Sequence, residues 1–247
     1  MNPLYRFASP SAFYPLAGAL IPYFAWVAGL LALVGLYLGL LVAPVDFQQG
    51  QHYRILFIHV PTAWMSMFIY FIMCGYAVLT LTLRTRLSAL MMQALAPTGT
   101  LFAALALITG GFWGKPTWGA WWVWDARTTS TLILLFLYIG YLALENAIED
   151  PQRADRACAL LILVGSINLP IIYFSVQWWN TLHQGSSISM TAAPAMARVM
   201  LLSMLTLTFS AWAYTIAVAL VRVRHKILLR ERAAQWVMEL GATPQVI

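Results

Sequence analysis

The sequence predicts an all-α, polytopic membrane protein with six transmembrane helices, both termini cytoplasmic and a Trp-rich loop on the outer side. Three observations predict it. Of 247 residues, 62% are hydrophobic and only 9% charged, which excludes a soluble domain with a charged surface. Six apolar runs match the ~20 residues that a hydrocarbon core of about 30 Å demands of a helix. Lys and Arg also divide unevenly between the segments joining those runs. With the N-terminus inside, ten of the 14 (Arg6, Arg84, Arg86, Arg153, Arg156, Arg222, Arg224, Lys226, Arg230 and Arg232) fall on the inner side, against Arg54, Lys115, Arg127 and Arg198 outside. The formal charge of +6 is therefore a topology signal and no argument for nucleic acid.

The runs lie near 17–43, 55–83, 91–112, 131–148, 157–176 and 199–221. They are continuously apolar with no period of two, so helices are expected rather than barrel strands. The first run is too long for a signal peptide and lacks a small-residue cleavage site, so it reads as a retained span. Pro61 falls in the first turns of the second run, where its cost is small, whereas Pro170 should kink the fifth. After the sixth run, the basic stretch Arg222 to Arg232 is expected to continue along the inner surface, anchored to anionic lipid. Short connections and the absence of a repeat or flexible linker predict one domain over 1–247. Cys74 and Cys158 lie far apart in or beside apolar runs and belong to no C-x-x-C pattern, so neither a disulfide nor thiol redox chemistry is expected.

The inner loops are small and basic, while the outer ones, 44–54, 113–130 and 177–198, are longer and unusual in composition. Five of the eleven Trp fall in one of them: Trp113, Trp118, Trp121, Trp122 and Trp124. Trp118, Trp121 and Trp122 stand at i, i+3 and i+4, which in a short helix makes one continuous aromatic face. An aromatic belt at the membrane interface is the plain alternative. Five Trp flanked by Gly114, Gly119, Asp125 and Arg127 fit a flat apolar ligand with polar edges better.

Histidine adds the second clue. His59 falls about one turn into the second span, where an unpaired imidazole is costly, and His183 sits beside Trp178 and Trp179 in the last outer loop. Singly, each is an ordinary hydrogen-bonded His. Together, on one side of the membrane with a Trp platform between them, they match a bis-His haem site: axial nitrogens on iron and aromatic walls along the ring. Haem propionates need cations, for which Arg54 and Arg127 are the candidates, Lys115 and Arg198 weaker ones. Arg54 reads equally as a snorkelling interfacial residue. Asp125 is expected to make polar contacts locally, to Arg127, an indole N–H or a backbone donor. His52 lies in a polar loop and His225 in the inner tail, so neither is a ligand candidate of the same standing. No catalytic triad, paired buried carboxylates or phosphate loop is present, so a binder and transferer is expected rather than an enzyme.

The segment Trp118-Gly-Ala-Trp-Trp-Val-Trp-Asp-Ala-Arg resembles the WWD signature of haem-handling membrane proteins, and the likeness to the CcmC family extends over essentially the whole chain. It includes Pro44-Val-Asp-Phe-Gln-Gln-Gly, His59-Val-Pro, Trp113-Gly-Lys-Pro, Asn168-Leu-Pro-Ile-Ile and Trp178-Trp-Asn-Thr-Leu-His-Gln-Gly. The resemblance implies a multi-pass protein of the bacterial inner membrane. In such proteins two histidines, here His59 and His183, hold haem b transiently on the periplasmic side against the Trp-rich loop, and the haem passes to the chaperone CcmE. It further implies partnership with CcmD and the ABC-type subunits CcmA and CcmB. Thr128 and Thr131 depart from the family pattern, in which Leu and Glu occur there. A membrane b-type haem electron-transfer subunit and a small-molecule transporter are the competing classes. The first calls for His pairs buried on facing helices, the second for inverted repeats or ionisable groups near the midplane.

Overall fold

The computed structural model describes residues 8–185 and 193–242. Six segments in it are long and apolar enough to cross a membrane: Pro10–Val42, His52–Thr82, Arg86–Trp118, Ala126–Ala147, Pro151–Trp178 and Arg198–Arg230. The protein is thus the six-span, all-α membrane protein its composition predicts. Each span is a few residues longer than its apolar run, because capping residues and first-turn prolines carry the helices past the hydrocarbon. Ser9 accepts from the Ala12 amide at the start of α1 (Pro10–Tyr37), with Pro10 where a missing N–H costs nothing. A π-turn over Leu38–Val42 ends that span. The chain then turns through Asp46, whose Oδ1 accepts from the Gln48 and Gln49 amides, and Gly50, at φ +60.

A 3-10 turn, His52–Ile55, leads into α2 (Leu56–Thr82), followed by α3 (Arg86–Trp118) and α4 (Ala126–Ala147). The fifth span is two helices, α5 (Pro151–Gly165) and α6 (Asn168–Trp178), broken at Ser166–Ile167. The kink expected from Pro170 is therefore a break a few residues earlier. Pro170 sits in the first turn of α6, where its absent N–H belongs to the set with no intrahelical acceptor. Asn168 fixes the break by donating to the Ser130 carbonyl of α4 at 2.9 Å. α7 (Arg198–Arg230) and the short α8 (Gln235–Ala242) complete the chain.

In lipid, apolar burial between helices gains little, so association rests on close van der Waals contact and on hydrogen bonds between helices. Both are evident. Tyr70 and Tyr138 meet edge to face at 5.3 Å between α2 and α4, and Tyr138 donates to the Ser66 carbonyl at 2.7 Å. A Cβ on Gly99 of α3 would lie 2.2 Å from the Tyr138 ring, and one on Gly165 of α5 would lie 2.1 Å from Tyr70 Oη. The two glycines let the tyrosines fill the centre of the bundle. At its edge, α1 is held by serines of α7, Ser203 bonding the Gly35 carbonyl and Ser210 that of Ala28, each at 2.8 Å.

An even number of spans puts both described ends of the chain at one end of the bundle, the terminal end. The described loop residues 43–51, 119–125, 179–185 and 193–197 lie at the other, the loop end. At the terminal end the structure corrects the expectation for the basic tail. Arg222 to Arg230 form the last turns of α7, where Lys226 pairs with Glu145 of α4 and Arg230 with Asp155 of α5, to which Gln93 of α3 also donates. Arg222 donates to Thr98 Oγ1 and the Ala94 carbonyl. For Lys226 and Arg230, the carboxylates that end α4 and begin α5 supply what lipid phosphate was expected to supply.

Gly99→Ala should force the Tyr138 ring from its seat and destabilise the bundle by about 1–3 kcal/mol, the usual cost of overpacking. Gly75→Ala, where nothing lies within 4 Å of the new Cβ, should be close to neutral. Thermal unfolding in detergent followed by circular dichroism separates the two; equal midpoints would show that the Gly99 contact relaxes freely.

Candidate functional site

His59 lies on the first turns of α2, and its orientation is set by α3. Its Nδ1 stands 3.1 Å from Thr109 Oγ1. The Thr109 hydroxyl has a single proton, committed at 2.6 Å to the Leu105 carbonyl, so it can only accept from the ring. His59 therefore carries its proton on Nδ1 and a free lone pair on Nε2. Gly110 makes room for this pose, since a Cβ there would approach His59 Cε1 to 3.1 Å. Trp113 closes the other side edge to face at 5.6 Å, and Nε1 of Trp113 donates to Gln49 Oε1 at 2.7 Å, tying α3 to the turn after α1.

His183 comes from the loop after α6. Trp118 packs edge-on against it at 4.7 Å, and its Nδ1 lies 3.0 Å from Asp125 Oδ2. The other oxygen of Asp125 accepts the Thr128 amide at 2.8 Å and so caps α4. Burial pushes the Asp125 carboxyl upward, but the bonds from Thr128 and His183 outweigh it and hold the group below its ordinary value. Burial lowers the His183 value, and Arg127 lowers it further, against the pull of Asp125 toward the charged form. The pair is thus an ionised carboxylate accepting from a neutral imidazole rather than a charged ion pair. His183, like His59, is left with Nδ1–H engaged and Nε2 bare.

The two histidines line one cavity of about 320 Å³, together with Trp64, Trp113, Trp118 and Arg127 and the apolar side chains of Met67 and Met204. A second hollow of about 120 Å³ shares His59, His183, Trp118 and Arg127 and adds Trp121 and Trp122. Arg127 is pinned on one side, Nε donating to Ser175 Oγ at 3.0 Å and Nη2 to the Tyr173 carbonyl at 3.4 Å. Chemically, the site offers two nitrogen lone pairs, aromatic walls and one guanidinium at its rim. That combination suits a flat, metal-bearing, anionic-edged ligand.

Several sequence-derived placements change. The helical face of Trp118, Trp121 and Trp122 does not form, because α3 extends to Trp118 and stops at Gly119, at φ +80. Lys115 bonds the Gly119 carbonyl in this stop rather than facing the cavity. Trp121 packs on Phe112 at 5.4 Å, and Trp122 packs on Trp124 at 5.2 Å. Trp124 lines neither hollow and is 75% exposed. Trp122 Nε1 is buried with no partner among the described residues, which leaves a donor at the smaller hollow.

Arg54 is not brought to the cavity. Its guanidinium donates to the Gly39 and Ala43 carbonyls, the latter at 2.8 Å, and to Gln51, satisfying the open end of the π-turn. Of the local partners expected for Asp125, the structure gives the backbone donor, the Thr128 amide, and neither Arg127 nor an indole. His52, Arg198 and His225 are exposed. Thr128 and Thr131, the two departures, both line the smaller hollow. Thr109 escaped sequence reasoning, its only signal being a polar residue before Gly110-Gly111 in an apolar run.

A family model described as "Heme exporter protein C" (CcmC) matches residues 3–238. The chain is 44% identical over 238 residues to "Heme exporter protein C" of Escherichia coli (strain K12), covering 96% of each chain. It is 44% identical over 240 residues to the Haemophilus influenzae protein of the same name, covering 97% of this chain and 98% of the other. A "Putative cytochrome c biosynthesis ccmC-like mitochondrial protein" of Marchantia polymorpha is 50% identical over 166 residues, 67% of this chain and 69% of the other. With its six spans and its loop-end cavity between two oriented imidazoles, the chain belongs to the heme exporter protein C (CcmC) family.

Proposed function

We propose that the chain binds haem b as cargo in the loop-end cavity, at the periplasmic face of the inner membrane, and delivers it to the chaperone CcmE for cytochrome c maturation. The observation that carries this reading is the matched state of the histidines, each with Nδ1 tied to an acceptor and Nε2 free at one apolar cavity. This is the arrangement by which an outer partner fixes the tautomer and orientation of a metal-ligating imidazole. His59 and His183 would be the axial ligands of the iron, and Trp113, Trp118, Trp121 and Trp122 the walls about the ring. Arg127 would face a propionate, and the unpaired Trp122 N–H a second polar edge. Arg54, spent on carbonyls, supports the pocket indirectly through the start of α2.

In this reading the chain makes no covalent bond. It orients, shields and releases, with ATP hydrolysis left to CcmA in an assembly with CcmB and CcmD. The family match and the excess of cations at the terminal end support placing that end in the cytoplasm.

Protein purified with haem should show a low-spin, two-nitrogen optical spectrum that is lost in His59→Ala/His183→Ala; an unchanged spectrum in the double variant would sink the axial assignment. Asp125→Asn tests the outer partner. Asn caps α4 as well as Asp does, while loss of the carboxylate makes His183 less basic and should weaken haem binding about tenfold. The pH dependence carries a sign. Because the His183 value lies below the ordinary 6.5, its Nε2 stays available at pH 6.5, so titration from pH 7.5 should leave ligation unchanged there and displace it only on further acidification.

A further inference from the structure

The lipid-facing side of the bundle carries a second hollow that haem binding does not use. α1, the start of α2 and α7 enclose an open groove of about 630 Å³. Ile21, Ala25, Gly29 and Ala32 form its α1 side, and α7 contributes Leu207 through Val221. A Cβ built on Gly29 would meet nothing within 4 Å. The hydroxyls of Thr62 and Ser210 in its lining are spent on the Ile58 and Ala28 carbonyls, at 3.0 and 2.8 Å, so they do not make it polar. At 1.5 Å per residue the groove follows about 16 Å of α1, Ile21 to Ala32, and about 21 Å of α7, Leu207 to Val221, against the ~15 Å of hydrocarbon in a single leaflet.

A cation stands one helical turn beyond the groove, toward the terminal end. Arg224 follows Val221 by three residues on α7, and Gly18 precedes Ile21 by three on α1. The Arg224 guanidinium lies flat over Gly18, 3.0 Å from where a Cβ would be, and 4.3 Å from the centre of the Tyr14 ring. Tyr14 packs in turn on Trp236 at 5.8 Å, an aromatic pair of the kind found at headgroup depth. Lys226 and Arg230 have carboxylates, and Arg222 has a hydroxyl and a carbonyl. Arg224 has none of these among the described residues, and its Nε is buried without a partner.

We propose that the groove seats one acyl chain of an acidic phospholipid from the leaflet at the terminal end, with the lipid phosphate at Arg224. Charge and length agree on this occupant: an anion is needed at one end, and a leaflet's depth of hydrocarbon along the rest. A transmembrane helix fits less well, because an apolar helix face brings no anion to Arg224.

The test is native mass spectrometry of the full chain equilibrated with equimolar phosphatidylglycerol and phosphatidylcholine in mixed micelles. Wild type should retain phosphatidylglycerol over phosphatidylcholine by about fivefold, as one cation near an anionic headgroup supports. Arg224→Gln should reduce that ratio to about one while still retaining lipid, with thermal unfolding unchanged. Gly29→Leu, which fills the groove, should lower retention of both lipids. A wild-type ratio of one, or a ratio unaltered in Arg224→Gln, overturns the proposal. So does a transmembrane polypeptide that cross-links to Gly29→Cys in place of retained lipid. Should Gly29→Leu fail to accumulate, the Arg224→Gln ratio alone decides.

Discussion

The loop-end site depends on one carboxylate with two obligations. Asp125 gives one oxygen to the Thr128 amide and the other to His183 Nδ1, at 2.8 and 3.0 Å, and its side chain is only 6% exposed. A helix cap of this kind is worth about 1 kcal/mol, and a hydrogen bond to a charged group about 1.5–3 kcal/mol. The second bond joins elements that little else connects, since His183 lies on an irregular segment whose own support includes a bond from its amide to Thr181 Oγ1. By capping α4, the carboxylate is held at a fixed height, and the imidazole inherits that height. His59 needs no equivalent device, because α2 and α3 carry it and its partner on packed helices.

The six spans could be read from the residues, as could His59, His183 and Arg127 as candidates for one site, because each leaves a local mark. Apolar length, a His near lipid and a run of five Trp are signals within one segment. What escaped depends on contacts between segments. Thr109 is one hydroxyl in an apolar helix, and only the approach of α2 gives it a partner. Arg54 was matched with a propionate because guanidinium suits carboxylate, yet the carbonyls it meets belong to Gly39 and Ala43, exposed by a π-turn that no periodicity announces. The Trp spacing implied one helical face, and Gly119 in the left-handed region ended the helix within that spacing. The tail cations were assigned to lipid because Glu145 and Asp155 are distant in sequence from Lys226 and Arg230.

The two ends of the bundle are built on opposite plans. At the terminal end helices are locked by paired charges, and at the centre by tyrosines fitted over Gly99 and Gly165. At the loop end Trp64, Trp113 and Trp118 line a hollow, and Trp121, at the smaller one beside it, remains about half exposed. A close-packed centre resists deformation. Positional precision at His59 and Thr109 therefore comes from the packed helices that carry them.

α1 leans chiefly on α7, through Ser203 to Gly35 and Ser210 to Ala28. During synthesis α1 emerges before α7. For the time taken to translate four intervening spans, α1 must reside in the bilayer without its serine donors. Its exposed side chains, Tyr23, Trp26, Leu30, Leu33 and Tyr37 among them, suit that wait, and the carbonyls of Ala28 and Gly35 are already bonded within the helix. Assembly of this chain is accordingly closed by its final span, which docks the oldest helix onto the bundle and completes the membrane-facing groove in the same event.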